Sequence, residues 1–254
     1  MMKKILCILL SLAALFCFAS CGGKDENPFA YTQNTDGTVT VTAYKGKNEA
    51  TVTVPDTYLD RKVTAIGDMA FEGTVMLTKV IIPDGVTAIG ASAFANCQRL
   101  ADIDLPDELT TIGDWAFQNC KLLTAVVIPE GVTEIGNHAF KGCVGLTSVA
   151  LPAGIKTIGS EAFSELTSLT SYTGPMKHLN EMPKEKLTAV TIMAGEFDQI
   201  EFVTFYGCEA LTEITYTGTV AAWQALDKAD GWLTSLPEKT LLVHCTDGNV
   251  TEAA

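Results

Sequence analysis

From Val63 to Lys177 the apolar positions of this chain follow a pattern that recurs every 23 residues, five times, with no slip in register. The units begin VTAIGDMAF at Val63, VTAIGASAF at Val86, LTTIGDWAF at Leu109, VTEIGNHAF at Val132 and IKTIGSEAF at Ile155. Around Ala101-Asp102-Ile103-Asp104-Leu105 the period is two, with Ile103 and Leu105 facing inward and the aspartates outward, which predicts a short strand. Pro83, Pro106, Pro129 and Pro152 are expected to end that strand on an edge, where a missing amide costs least. A second extended piece, such as Thr110-Thr111-Ile112, is expected along the opposite side. Between them a short helical turn is expected, opened by Gly67, Gly90, Gly113, Gly136 and Gly159. It is expected to close in a left-handed residue at Gly73, Asn96, Asn119, Gly142 and Glu165, of which Glu165 alone lacks the tolerance of Gly and Asn for that conformation.

Phe71, Phe94, Phe117, Phe140 and Phe163 occupy one column and predict an aromatic spine inside the coil, beside the small Ala70, Ala93, Ala116, Ala139 and Ala162. A unit this short cannot bury its own apolar face, so it is stable only when stacked on its neighbours, with one core running along the array. The pattern fades outside these five units. Residues 31–62, with Thr38 to Val41 and Ala50 to Val54 as strands, read as an N-terminal capping coil. Residues 178–199 form an irregular coil, the register being lost from Met176 to Lys186. Residues 200–216 form a degenerate repeat carrying Phe205, Gly207 and Cys208 in the expected columns, and residues 217–254 supply a terminal helix and a capping strand. Val220, Trp223 and Leu226 share one face of that helix, as a lid over the end of the stack requires.

The motif IGxxAFxxC followed by LxxIxLP resembles the BspA-type leucine-rich repeats of bacterial surface proteins. The resemblance covers about Tyr31 to Gly248. It implies a leucine-rich-repeat solenoid, mostly strand and irregular structure, with short parallel β-strands joined by short helical turns into a curved right-handed coil. It also implies a surface protein that binds something, with adhesion to host proteins or other cells reported for relatives. It does not specify the ligand, because a scaffold can be shared by proteins that differ in what decorates it.

The first 20 residues stand apart: Lys3 and Lys4 precede the apolar run Ile5 to Phe18, and Ala19-Ser20 precede Cys21. That is the layout of a secretory signal peptide, too short and too polar at its exit for a spanning helix. The segment Phe18 to Cys21 resembles a bacterial lipobox, which would make Cys21 the lipidated first residue, with residues 21–30 as a tether; ordinary cleavage leaving a free thiol is the alternative. Lys24-Asp25-Glu26 resembles the export signals that carry some Bacteroidetes lipoproteins to the outer surface. The expected location is therefore outside the cytoplasm, on the bacterial outer membrane and facing the exterior, with membrane contact only through the anchor. The whole chain has 17 basic and 30 acidic residues, and loss of residues 1–20 removes only Lys3 and Lys4 among the charges, leaving a net of −15. Nucleic acid is a poor partner for such a surface, since its binding rests on basic patches.

Candidate chemistry is sparse. Cys97, Cys120, Cys143 and Cys208 share a column and are expected as buried reduced thiols, with disulfides and metal as weaker alternatives and no CxxC spacing present. His244 lies beside Cys245, yet neighbours on a strand point to opposite faces, so the pair does not suggest a thiol enzyme. No cofactor is implied and no catalytic residue is assigned. Two surfaces remain. One is the outward strand columns, including Lys79, Asp102, Ile81, Asp104 and Val127, which are mixed and carry no aromatic platform. The other is the variable residue before the spine alanine, namely Met69, Ser92, Trp115, His138 and Glu161, where Trp115 stands out because aromatic residues dominate binding hot spots. The expected function is a non-enzymatic cell-surface binding or adhesion module that contacts protein, with capture of glycan or nutrient as the alternative.

Overall fold

The computed structural model describes residues 27–46, 49–195, 197–237 and 240–253. The signal segment, the Lys24 to Glu26 run and Cys21 lie outside the described residues.

The chain forms a leucine-rich-repeat solenoid in which each coil contributes to two parallel sheets and one turn ribbon. The first sheet runs through Phe29–Gln33, Val39–Tyr44, Arg61–Ile66, Ala88–Ile89, Thr111–Ile112, Glu134–Ile135 and Thr157–Ile158. Its repeat-to-repeat pairs are parallel and in register, such as Ile112 with Ile135. The second sheet carries the strands predicted from the alternating pattern, and it comes in two parts. Thr51–Thr53, Lys79–Ile81 and Asp102–Asp104 form one; Ala125–Val127, Ser148–Ala150, Ser171–Gly174, Ala189–Ile192, Glu213–Tyr216, Thr240–Cys245 and Gly248–Ala253 form the other. In each central strand the middle residue, such as Val80, Ile103, Val126 or Val149, is buried while its neighbours face outward.

The segment expected as a short helix is instead a chain of overlapping β-turns. In the first unit the amides of Ala70, Glu72 and Thr74 close turns onto Gly67, Met69 and Phe71. The alternate amides, of Met69, Phe71 and Gly73, bond to Ala91, Ala93 and Ala95 of the next coil. Phe94 to Ala116, Phe117 to Ala139 and Phe140 to Ala162 continue this third ladder. A helix would direct all its amides along its own axis and leave none to join the coils; alternating turns satisfy both needs. Their left-handed residues are Gly73, Asn96, Asn119, Gly142 and Glu165, with φ from 58° to 72°, so Glu165 keeps the conformation without the favoured side chain. Gly67 and its equivalents have another role than opening a helix: a Cβ on Gly136 would lie 2.4 Å from Asp114 N and Gly113 C of the preceding coil. The prolines too differ from expectation. Pro106, Pro129 and Pro152 are buried within the stack rather than at a sheet edge, and their carbonyls accept from Leu109, Val132 and Ile155 to start the next turn.

The spine is continuous. Ring centroids from Phe71 to Phe163 are 4.9, 5.3, 5.1 and 5.3 Å apart, with interplanar angles between 1° and 18°. Tyr44 adds a ring at 5.2 Å from Phe71, and Phe29 packs on its edge, so the N-terminal hairpin Phe29–Gln33/Val39–Tyr44 closes that end. Beyond Thr173 the coil shortens. Thr188 bonds to Thr170 across 18 residues instead of 23, and a 3-10 turn, Met176–Glu181, replaces the missing length. The C-terminus is closed by an antiparallel hairpin, Thr240–Cys245 with Gly248–Ala253, rather than by a single strand. The helix Val220–Gln224 spans five residues and buries Trp223 against Tyr216 and Trp232.

Candidate binding surfaces

The first candidate surface is the turn ribbon. Met69, Ser92, Trp115, His138 and Glu161 all have positive φ, between 53° and 57°, although none is Gly or Asn. That conformation is costly for ordinary residues, and the ladder bond made by each of the first four, such as Trp115 N to Asn137 O at 2.8 Å, holds it in place. Trp115 and His138 stack at 5.6 Å with an interplanar angle of 15°. Trp115 is nevertheless 39% exposed and Met69 62% exposed. His138 Nε2 lies 3.6 Å from Glu161, which also pairs with Lys141. The Lys141 hydrogen bond holds the Glu161 carboxyl below its ordinary pKa, and Glu161 holds Lys141 above its own. Met69, Ser92, Trp115, half-buried His138 and Glu161 thus form one row across five coils.

The second is the strand face. Lys79 pairs with Asp102 of the next strand, a bond that raises the lysine pKa. Ile81 lies opposite Asp104 and is 44% exposed; Val127 is 70% exposed. Between Asp102–Asp104 and Ala125–Val127 the parallel ladder is interrupted, which divides this sheet into its two parts. A shallow groove of about 260 Å³ follows the interruption, lined by Asp102, Asp104, Asp107, Ala125, Val127 and Pro129 among others. Asp102, Asp104 and Val127 therefore lie at the break, and Lys79 and Ile81 one strand away from it. Among the described residues no three His, Cys, Asp or Glu side chains are arranged to hold a metal ion.

The column of thiols is buried. Cys97, Cys120 and Cys143 Sγ donate to the carbonyls of Phe71, Phe94 and Phe117 at 3.1, 3.3 and 3.1 Å. Burial pushes the Cys97 thiol up to about 12 and Cys208 up to about 11, which removes the nucleophilic thiolate at neutral pH. His244 is engaged by Glu213 at 3.1 Å and Asn249 at 3.2 Å.

Sequence reasoning missed Lys184. Its Nζ donates to Asn180 Oδ1 and to the carbonyls of Val203 and Thr204. Thr204 occupies the place of Ala162 in the degenerate coil, so the ammonium serves a carbonyl that a spine amide serves elsewhere. Its one sequence signal is its position inside the segment that loses register.

The family model for the BspA-type leucine-rich-repeat region matches residues 64–185 in six copies. Among solved structures, the leucine-rich-repeat protein of T. pallidum is 31% identical, with a TM-score of 0.58 over 74% of this chain and 78% of that one. One from Bacteroides ovatus is 23% identical, with a TM-score of 0.52 over 86% and 70% of the two chains. The pneumococcal vaccine antigen PcpA, 19% identical, shares the fold at a TM-score of 0.52, over 90% of this chain and 49% of its own. No curated protein matches.

Proposed function

We propose that this chain, which belongs to the BspA-type leucine-rich-repeat family, is a non-enzymatic binding module that contacts protein on a host or another cell. The observation that carries this reading is the Trp115–His138 stack, which leaves an indole 39% exposed on a backbone that is rigidly bonded on both sides. A preorganised aromatic group loses little conformational freedom on binding and buries much area. Met69 and His138 extend that row; Lys79, Ile81, Asp102, Asp104 and Val127 give a second contact region on the strand face. Capture of glycan is less well supported, because the outward strand columns hold Ser, Thr and Ala where a sugar platform needs aromatic rings.

The proposal includes export, lipidation at Cys21 and display on the outer membrane, so that the solenoid is presented on the tether of residues 21–30. Two experiments test it. Purified protein and its Trp115→Ala variant are probed against arrays of host proteins and glycans. Loss of at least about tenfold in affinity for a protein target is the expected result, and equal binding by both forms rejects the turn-face site. In cells, Cys21→Ala should abolish partitioning into detergent and protease should digest the native protein on intact cells; unchanged partitioning removes the anchor, and resistance to protease removes surface display.

A further inference from the structure

The two faces of the Trp115 ring are not equivalent. One is covered by His138 of the following coil. The other is turned toward the preceding coil, whose residue in this column is Ser92, and only one coil further on does a large side chain, the exposed Met69, return. The Phe rings of these same three coils are spaced at 4.9 and 5.3 Å, so Met69 and Trp115 stand about 10 Å apart in their column, with a serine as the floor between them. A gap of that width admits one further flat or linear group in contact with the indole at about 3.5–4 Å, with Met69 closing the far side.

Charge identifies the group. The three turn segments that frame the gap read Asp-Met-Ala-Phe-Glu from Asp68, Ala-Ser-Ala-Phe-Ala from Ala91 and Asp-Trp-Ala-Phe-Gln from Asp114: three acids and no base. Asp68 and Asp114 each use one carboxylate oxygen on an amide of the next coil, which leaves the other oxygen of each for a ligand. Glu72 is exposed on the other flank. The nearest lysine of the ribbon, Lys141, lies beyond His138 and is bound to Glu161. A purely apolar side chain would gain nothing from these three carboxylates, whereas a cation on an indole face is attracted by the ring and by the acids together. The same chain makes such a contact at its C-terminal end, where Lys228 Nζ lies 5.5 Å from the centre of the Trp223 ring.

We propose that the gap between Met69 and Trp115 is a seat for an arginine side chain of a protein partner, its guanidinium stacked on the free face of Trp115 and its charge balanced by Asp68, Glu72 and Asp114. This rests on the reading of the turn face as a protein-binding surface and names the chemistry it selects. It also accords with the chain's formal charge of −13, which favours a basic partner.

The test uses the folded protein and three short Gly/Ser peptides carrying two arginines, two citrullines or two leucines. Trp115 is the exposed tryptophan, Trp223 and Trp232 being buried, so its fluorescence and its indole N–H resonance report occupancy. The arginine peptide should bind about fivefold or more tightly than the citrulline peptide, which has the same shape without the charge. That preference should vanish in Trp115→Leu and weaken in Glu72→Gln and Asp114→Asn; the latter keeps an acceptor oxygen of the kind Asn137 uses toward Ser160. Equal binding of arginine and citrulline peptides, stronger binding of the leucine peptide, or an arginine preference that survives Trp115→Leu overturns the proposal. Its failure leaves the broader reading measurable, since a protein ligand found on the arrays would still depend on Trp115; a protein ligand indifferent to Trp115, or glycan binding alone, would sink both.

Discussion

Successive coils touch closely enough for a single methyl group to matter. At Gly136 a Cβ would lie 2.4 Å from backbone atoms of the preceding coil, and backbone cannot swing aside as a side chain can. At Gly73, by contrast, the space is open and φ is 66°, in the same left-handed region that Asn119 occupies at its equivalent position with φ 58°. Gly136→Ala should therefore lower unfolding stability in urea by about 2–3 kcal/mol, and Gly73→Asn should change it by less than about 1 kcal/mol. Equal effects would mean that the Gly67 column serves conformation rather than close approach. The Gly67 column is glycine throughout while the Gly73 column admits Asn and Glu, but the letters do not say why. Only the packing of one coil on the next separates them, and a single unit read alone does not contain that information.

The turn ribbon owes its regularity to side chains as well as to amides. Asp68 Oδ1 accepts from Ala91 N, Asp114 Oδ1 from Asn137 N and Asn137 Oδ1 from Ser160 N, each bridging to the following coil. Ala91 is the gap in this column: it has no oxygen to offer Asp114. Ala91→Asn should restore the bridge and raise stability by about 1 kcal/mol, seen as a higher urea midpoint with an unchanged slope; no gain would show that water already serves that amide. The strands and the Phe spine were readable from sequence because burial imposes a period that apolar letters record. The β-turn chain was not. Its second left-handed residue falls on Met69, Ser92, Trp115, His138 and Glu161, which carry no Gly or Asn to announce it. The interruption beside Asp104 was equally silent, since Ala125 to Val127 keep a normal strand pattern.

The array as a whole is a one-dimensional object in which each coil meets only its neighbours. Removing residues 86–108, one full period, should bring the coil of Leu109 onto that of Val63 with Phe117 stacked on Phe71. The product should keep its circular dichroism per residue and a single cooperative transition at lower stability. Removing residues 86–96 alone breaks every column at once and should abolish cooperative unfolding; retention of it would argue that the register is not what holds the stack together. The candidate contact residues were visible in the sequence as departures from the repeat, but their neighbours were not: Glu161 and Lys141 reach the Trp115 row only because 23-residue coils bring distant letters side by side.

The left-handed backbone of the Met69 column also sets an alphabet for whatever this face presents. Side chains branched at Cβ fit that conformation worst, and the five residues found there are all unbranched at that atom. Val203, which stands at the equivalent place in the degenerate coil, has no such φ. Diversification of this row is thus directed to residues unbranched at Cβ, as Leu59 and Asp60 with φ of 51° and 59° illustrate elsewhere in the chain. Valine, isoleucine and threonine are withheld from its vocabulary by the backbone before any ligand has been consulted.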